Sequence, residues 1–461
     1  LWPDDLREPV VPRASPRQSA RLEVSRKERG TAGPGTARAA LGYRDFRIIW
    51  IALFASNVGT WMQNLALPAY IDARTHKATW VALIGFAQLG PLLLLSIPGG
   101  VLADKFPRRP WLVMNQSMQL VFSVGIAILI ARDSPLIALF FVNLAIGTFN
   151  ALGAPAIQAS IPLLVSREDL PGALALNSVT LNGSRVIGPA LAAILIGAGV
   201  TVPQIFLINA GTYLFAVAGI LMIVIPHVSV KSAEKGFQKV LSGIRIARER
   251  SVLSRMLIAM TLFSFICLPY IGLFPSIARL NFGIDAEGPT YKWLYATWGL
   301  GAALGGLGCG TVFLRFDRRK LIVNSFRGFA VSLLVFALAE GPELALPVGF
   351  LLGFFYFAAV TPMITIFQTN MRDHERARLM SLWFMSFGGM VSIGALAFGP
   401  FVDWIGPKPV LLVGVVGAIG MSWYCDLIRR PADLLPEEER SQPLQSRNSA
   451  SFDEQGVVAG D

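Results

Sequence analysis

Long apolar stretches separated by short polar breaks run from about residue 46 to residue 427. Their limits fall near 46–71, 78–103, 110–131, 135–158, 172–198 and 203–225, then, after a polar gap, near 253–278, 291–313, 321–339, 344–369, 378–403 and 408–427. Each stretch can cross about 30 Å of hydrocarbon as a helix rising about 1.5 Å per residue, and several leave length for tilt. Barrel strands need only about 9–11 residues, so the pattern predicts helices. Gly90-Pro91 and Gly188-Pro189 fall inside two stretches, where membrane helices tolerate such pairs. An all-α polytopic membrane protein of twelve transmembrane helices is predicted, in two sets of six: residues 46–225 and 253–427.

The polar remainder falls in three places. Residues 1–45 are Arg-rich, carry no apolar signal-peptide core, and read as a disordered basic cytoplasmic tail. Residues 226–252 form a cytoplasmic linker in which Val240, Leu241, Ile244 and Ile246 alternate with basic residues, as in an amphipathic helix lying on a membrane. Residues 428–461 read as a second disordered cytoplasmic tail.

Composition points the same way. Of 461 residues, 54% are hydrophobic and 15% charged, against about 25% charged in soluble domains. Lys and Arg number 40 against 29 Asp and Glu, a net charge of +11. Roughly 32 of the basic residues lie in the tails, the linker and the loops on one side, which places both termini in the cytoplasm and accounts for the surplus without nucleic acid. Cys267, Cys309 and Cys425 are far apart and lack zinc-site spacing, so packing is expected of them and no metal site. HExxH, GxSxG and P-loop patterns are absent, which argues against an enzyme and against a chain that drives itself with ATP. No cofactor is expected.

An internal repeat links the two sets of helices. GVLADKFPRRPWLV at 100–113 aligns with GTVFLRFDRRKLIV at 310–323, matching Gly100 to Gly310, Phe106 to Phe316, Arg108-Arg109 to Arg318-Arg319 and Val113 to Val323. Repeats of this kind belong to transporters whose substrate site lies between the halves near the bilayer midplane.

Gly100-x-x-x-Asp104-Lys105-x-x-Arg108-Arg109, between the second and third spans, resembles motif A of the major facilitator superfamily. The second copy keeps Gly310, Arg318 and Arg319 but has Leu314 where Asp104 would fall. Thr79-Trp80, the 99–109 loop, Arg376-Ala377-Arg378 and Arg185-Val186-Ile187-Gly188-Pro189 resemble the subgroup of enterobactin exporters and macrolide efflux proteins. The segment at 185–189 is also similar to the Gly-Pro antiporter motif of drug exporters, with Ala192-Ala193 in place of its glycine pair. The resemblance implies a major facilitator fold, residence in the cell membrane, a small-molecule substrate, protons as coupling ion and a monomer. It further implies that Asp104 latches the halves on the cytoplasmic side, facing Arg376 and Arg378.

Single residues sharpen the expectation. Arg185 sits near the middle of the fifth span, where a charge is costly and usually faces a cavity or partner; it is a candidate contact for anionic groups of a ligand or for a coupling acid, with a structural pair to a carbonyl or to Asn177 or Asn182 as the alternative. Arg327 lies nearer the end of its span and can snorkel. No acid lies near the middle of any span; Asp72, at the outer end of the first, is the candidate for proton coupling, with loop capping as the plainer alternative. Asn57, Trp61, Gln63, Asn64, Asn143, Asn150, Tyr270, Tyr295, Trp298, Tyr356, Gln368, Trp383 and Phe387 are candidates, as a set, for an apolar cavity with a few placed polar groups, with Asn57, Gln63 and Asn64 foremost. The sequence predicts a proton-driven exporter of amphiphilic small molecules of drug or siderophore type; an importer or facilitator of the same fold, or a non-transporting membrane sensor, are the alternatives.

Overall fold

A computed structural model describes residues 33–225, 237–372 and 375–427 of the chain. The N-terminal half contains α1 (Arg44–Thr75), α2 (Ala78–Leu89, continued by Pro91–Lys105), α3 (Arg108–Ala131), α4 (Leu136–Ser160), α5 (Leu170–Gly197) and α6 (Val202–Leu221). In the C-terminal half α7 runs from Ser251–Leu262 through a π-turn at Phe263–Cys267 into short helices Pro269–Gly272 and Phe274–Phe282. It is followed by α8 (Pro289–Gly310), α9 (Arg318–Leu338), α10 (Pro342–Thr369), α11 (Arg376–Phe384, a π-turn at Met385–Gly389, then Met390–Ile405) and α12 (Pro407–Tyr424). No strand occurs among the described residues.

Eight of these helices are long and apolar enough to cross a membrane, or nine if the pair Leu241–Glu249 and Ser251–Cys267, bent by 119°, is one span. The twelve expected spans are therefore not all confirmed by that measure. The shortfall has local causes. α1 is 32 residues long but carries Asn57, Gln63 and Asn64; α8 is rich in glycine and carries Lys292; α12 has only 18 residues and opens Pro-Lys-Pro. Outside the bundle, Phe141, Ile194, Leu214, Val331 and Val416 expose large apolar side chains, the surface a lipid-facing helix presents.

The repeat reappears in the packing. In the N-terminal half α1 packs on α5 and α6, α2 on α4, and α3 on α4 and α6. In the C-terminal half α7 packs on α11 and α12, α8 on α10, and α9 on α10 and α12. Adding six to each member of the first set gives the second.

The halves meet along two helix pairs, α2 with α11 and α5 with α8. The first is close because Gly389 lacks a side chain: a Cβ there would stand 2.5 Å from Leu93 Cδ1.

Part of the expected N-terminal tail is ordered. Thr36 caps a short helix, Ala37–Leu41, and buried Asp169, just before α5, accepts hydrogen bonds from Gly35 N (3.0 Å) and Tyr43 Oη (2.8 Å). The buried carboxylate needs donors, and the tail supplies them. Residues 1–32 and the tail 428–461 lie outside the described residues. In the linker, helix Phe237–Glu249 packs against α11. At its end Arg250 donates to Glu375 (2.7 Å) and to the Asn370 carbonyl (3.0 Å).

Candidate functional site

Three features bear on function: carboxylate locks at one end of the interface between the halves, a caged arginine within that interface, and a polar cavity inside the N-terminal half toward the other end.

At the end where α1 meets α2, Asp72 is fully buried and crosses to the other half. It accepts from Ser276 Oγ (2.5 Å), Arg279 Nε (2.8 Å) and Arg279 Nη2 (3.1 Å) on α7. A second carboxylate crosses in the opposite direction. Asp403, near the end of α11, accepts from Ala78 N (2.6 Å), Thr79 N (2.9 Å) and Thr79 Oγ1 (2.5 Å). It caps the positive N-terminus of α2, a favourable place for an anion. Asp403 was not singled out in the sequence. Its only signal was an acid at a span end, and its partner lies 325 residues away. Arg74 ties the same end internally, donating to the Asp133 and Ser134 carbonyls and pairing with the Asp133 carboxylate at 2.9 Å.

Toward the opposite end, within the N-terminal half, a cavity of about 160 Å³ is lined by α1, α3, α4, α5 and α6. Its polar groups are neutral: Asn57, Asn115, Gln116, Gln119, Asn150, Gln158 and Asn177, with Thr60 and Tyr213. Asn115 Oδ1 is buried without a hydrogen-bond partner. Of the expected cavity residues Asn57 and Asn150 line this space, the Asn57 amide donating to the Leu53 carbonyl (2.8 Å). The α3 amides were missed, because i, i+4 polar residues on an apolar helix read equally well as helix packing.

The other expected cavity residues lie elsewhere. Gln63 accepts from Asn209 inside the N-terminal core. Asn64 accepts from Gln88 (2.6 Å), and Asn143 donates to the Ile84 carbonyl (2.9 Å), joining α4 to α2. Tyr270 and Trp298 come together, Trp298 Nε1 donating to Tyr270 Oη (3.0 Å), but both are buried in the aromatic core of the C-terminal half. Gln368 contacts Met380 Sδ (3.6 Å). Arg327 is exposed on the outside of α9.

Arg185 stands near the middle of α5, where the halves touch. Its guanidinium lies over the rings of Trp61 on α1 (5.3 Å), Phe357 on α10 (5.2 Å) and Phe387 on α11 (5.8 Å). Each such contact is worth about 0.5–2 kcal/mol, more as water is excluded. Phe387 sits in the α11 π-turn, a deformation common at functional sites. The Gly-Pro pair one turn on shapes this place. A Cβ on Gly188 would stand 2.5 Å from Trp61 Cβ and 2.7 Å from the Val58 carbonyl, so glycine lets α5 rest directly on α1 beside Trp61. Pro189 has no N–H, so the Arg185 carbonyl lacks its helical donor, at the point where α5 crosses Gly299 of α8.

The motif loop divides into described and undescribed parts. The side chains of Gly100, Asp104, Gly310 and Arg376 lie outside the described residues, as does that of Asn182. Buried Arg108 donates to the Ala159 carbonyl at the end of α4 (2.9 Å), and Arg109 donates to the Leu221 carbonyl at the end of α6. Both arginines thus serve helix C-termini, where cations are favoured. The second copy is built differently. Arg319 pairs with its neighbour Asp317 (3.1 Å), which caps α9, while Arg318 is exposed. Burial raises the Asp317 pKa and the Arg319 hydrogen bonds lower it, with a net shift below the usual carboxylate range.

Two six-helix halves with matching internal packing, a charged site between them and carboxylate locks at one end are the architecture of a membrane transporter. A family model described as "Transmembrane secretion effector" matches residues 35–445, and the chain belongs to this family, within the major facilitator superfamily. Enterobactin exporters from Escherichia coli O1:K1 / APEC and from Shigella boydii serotype 18 are each 26% identical to it over 357 residues, 77% of this chain and 84% of theirs. Among solved structures, the nucleoside transporter NupG superimposes with a TM-score of 0.65 at 12% identity, covering 83% of this chain and 99% of that one. A bacterial homologue of the human lysosomal transporter Spinster, inward-facing and unoccupied, gives 0.61 at 13% identity over 83% and 97%. The E. coli fucose:proton symporter FucP gives 0.56 at 14% over 86% and 98%. The protein is a multi-pass membrane transporter, and its family and fold are not those of enzymes.

Proposed function

We propose that this transporter exports amphiphilic small molecules from the cytoplasm, driven by the proton gradient, with both termini inside and one chain sufficing. The observation that carries the reading is the asymmetry of the interface. Buried Asp72 and exposed Asp403 tie the halves at the Asp72 end, while the amide-lined cavity lies toward the motif-loop end. With the basic loops inside, the ties hold the exterior end together beside a cavity of about 360 Å³ lined from both halves, by Tyr70, Thr201 and Tyr291 among others, and the cavity of the N-terminal half can take its load from the cytoplasm. The similarity to proteins named enterobactin exporters supports export as the direction.

Asp72 is the proposed point of proton coupling. A proton arriving from the exterior neutralises its carboxylate, frees Ser276 and Arg279, and lets that end part. Asp104 is the proposed latch at the other end, closing it when the Asp72 end parts; a charge pair remade between two states is an adequate switch.

Accumulation of labelled drugs and siderophores in cells lacking their own exporters tests the reading. Lower accumulation with the wild type than with Asp104→Asn at matched expression, abolished by a protonophore, is expected. Equal accumulation of every compound would remove export and bring importer and sensor readings forward.

A further inference from the structure

Arg185 carries a charge that no acid among the described residues neutralises. Its Nε is buried without a hydrogen-bond partner, and no carboxylate among the described residues forms an ion pair with it. Asn177, the nearest expected partner along α5, is engaged with Gln158 Oε1 (3.2 Å). Three ring faces attract the cation but do not satisfy its five N–H donors. A guanidinium held in a fixed plane with unspent donors is a receptor for a carboxylate or another planar anion.

The surroundings define the rest of the ligand. The cage draws Trp61 from one half and Phe357 and Phe387 from the other, so an anion there is sandwiched by rings and senses the relative position of the halves. One helical turn along α1 leads from Trp61 to Asn57, and one turn along α5 leads from Arg185 to Leu181; both Asn57 and Leu181 line the amide cavity. Residues spaced by four share a helix face, so the cavity adjoins the cage. No Asp, Glu, Lys or Arg lines that cavity.

We infer that the transported species is an organic anion with a planar apolar ring: the anion binds Arg185 inside the ring cage, and a neutral hydrogen-bonding portion extends into the amide cavity. A cationic amphiphile finds no acid here and meets a like charge. This inference rests on the transporter reading above but not on its direction.

Isothermal titration of the purified full chain with 1-naphthylacetate, its neutral amide and 1-naphthylmethylammonium tests it. The acetate is expected to bind at least tenfold tighter than the amide, and the ammonium least. Arg185→Gln should cost the acetate tenfold or more and leave the amide unchanged, and Arg185→Lys should restore part of the loss. Should Arg185→Gln fail to fold, Trp61→Leu keeps the charge and removes one ring; it should weaken acetate and amide binding alike, by several-fold. Equal binding of acetate and amide, unchanged acetate binding by Arg185→Gln or Trp61→Leu, tightest binding of the ammonium, or no binding of any probe would each overturn the inference. Arg185-dependent binding without efflux from cells would overturn export and keep the inference; efflux with charge-indifferent binding would do the reverse.

Discussion

Replacing Asp72 by Asn should release the end of the bundle that the carboxylate now holds shut. Asp72 is fully buried, and its two oxygens take three donors from the opposite half, at 2.5, 2.8 and 3.1 Å. Hydrogen bonds to a charged group contribute about 1.5–3 kcal/mol each, and breaking a buried ion pair by removing one partner costs about 3–5 kcal/mol. Arg279 keeps 22% of its side chain exposed and can recover water, which favours the low end, about 3 kcal/mol. The lock exists only while the halves touch there, so nearly all of that energy moves the equilibrium between closed and open states. About 3 kcal/mol is a shift of about 100-fold, enough to bring a 99:1 closed population near parity. Spin labels at Lys77 and Glu343, exposed residues near that end in opposite halves, report the separation by double electron–electron resonance. A single short distance in the wild type and a second, longer population in Asp72→Asn are expected. Superimposable distributions would refute the lock and, with it, the coupling role given to Asp72.

Other perturbations have equally definite outcomes. Gly188→Ala places a methyl 2.5 Å from Trp61 Cβ and 2.7 Å from a backbone carbonyl; overpacking of this kind costs about 1–3 kcal/mol, so the thermal midpoint in detergent should fall, and an unchanged midpoint would show that α1 and α5 are not tightly apposed. Arg108→Ala removes the donor to the Ala159 carbonyl and leaves a buried acceptor at a cost of about 1–3 kcal/mol, readable as faster amide exchange at the end of α4. Asp317 has its pKa depressed in the fold, so its stabilising contribution is present above the unfolded-state value and lost as pH falls through the folded one. Asp317→Asn should therefore lower the thermal midpoint at neutral pH, and the difference from the wild type should shrink as the pH falls below the usual carboxylate range.

How far the sequence could be read depended on whether a feature is local. Helix limits were legible because apolar runs are local: α4 was expected at 135–158 and is found at Leu136–Ser160. The repeat was legible because both copies of the loop retain their arginine pair. What those arginines do was not: Arg108 and Arg109 reach carbonyls 51 and 112 residues away. The π-turns of α7 and α11 left no mark in their sequences, since FSFIC and MSFGG suit an ordinary apolar helix as well. Arg185 was conspicuous, because a charge in mid-span needs an explanation, and Trp61 and Phe387 were among the expected cavity aromatics; that both converge with Phe357 on Arg185 was not legible, because the contacts join four helices from two halves. Gln63 and Asn143 show the converse. Their amides stood out, yet each is used within its own half to join helices.

Transport in everted membrane vesicles tests the central claim most directly. With the cytoplasmic face outward and the lumen acidified, labelled 1-naphthylacetate should accumulate in vesicles containing the wild type. Accumulation should collapse on addition of a protonophore and be lost in Asp72→Asn. Accumulation indifferent to the protonophore, or seen only in right-side-out vesicles, would contradict a proton-driven exporter.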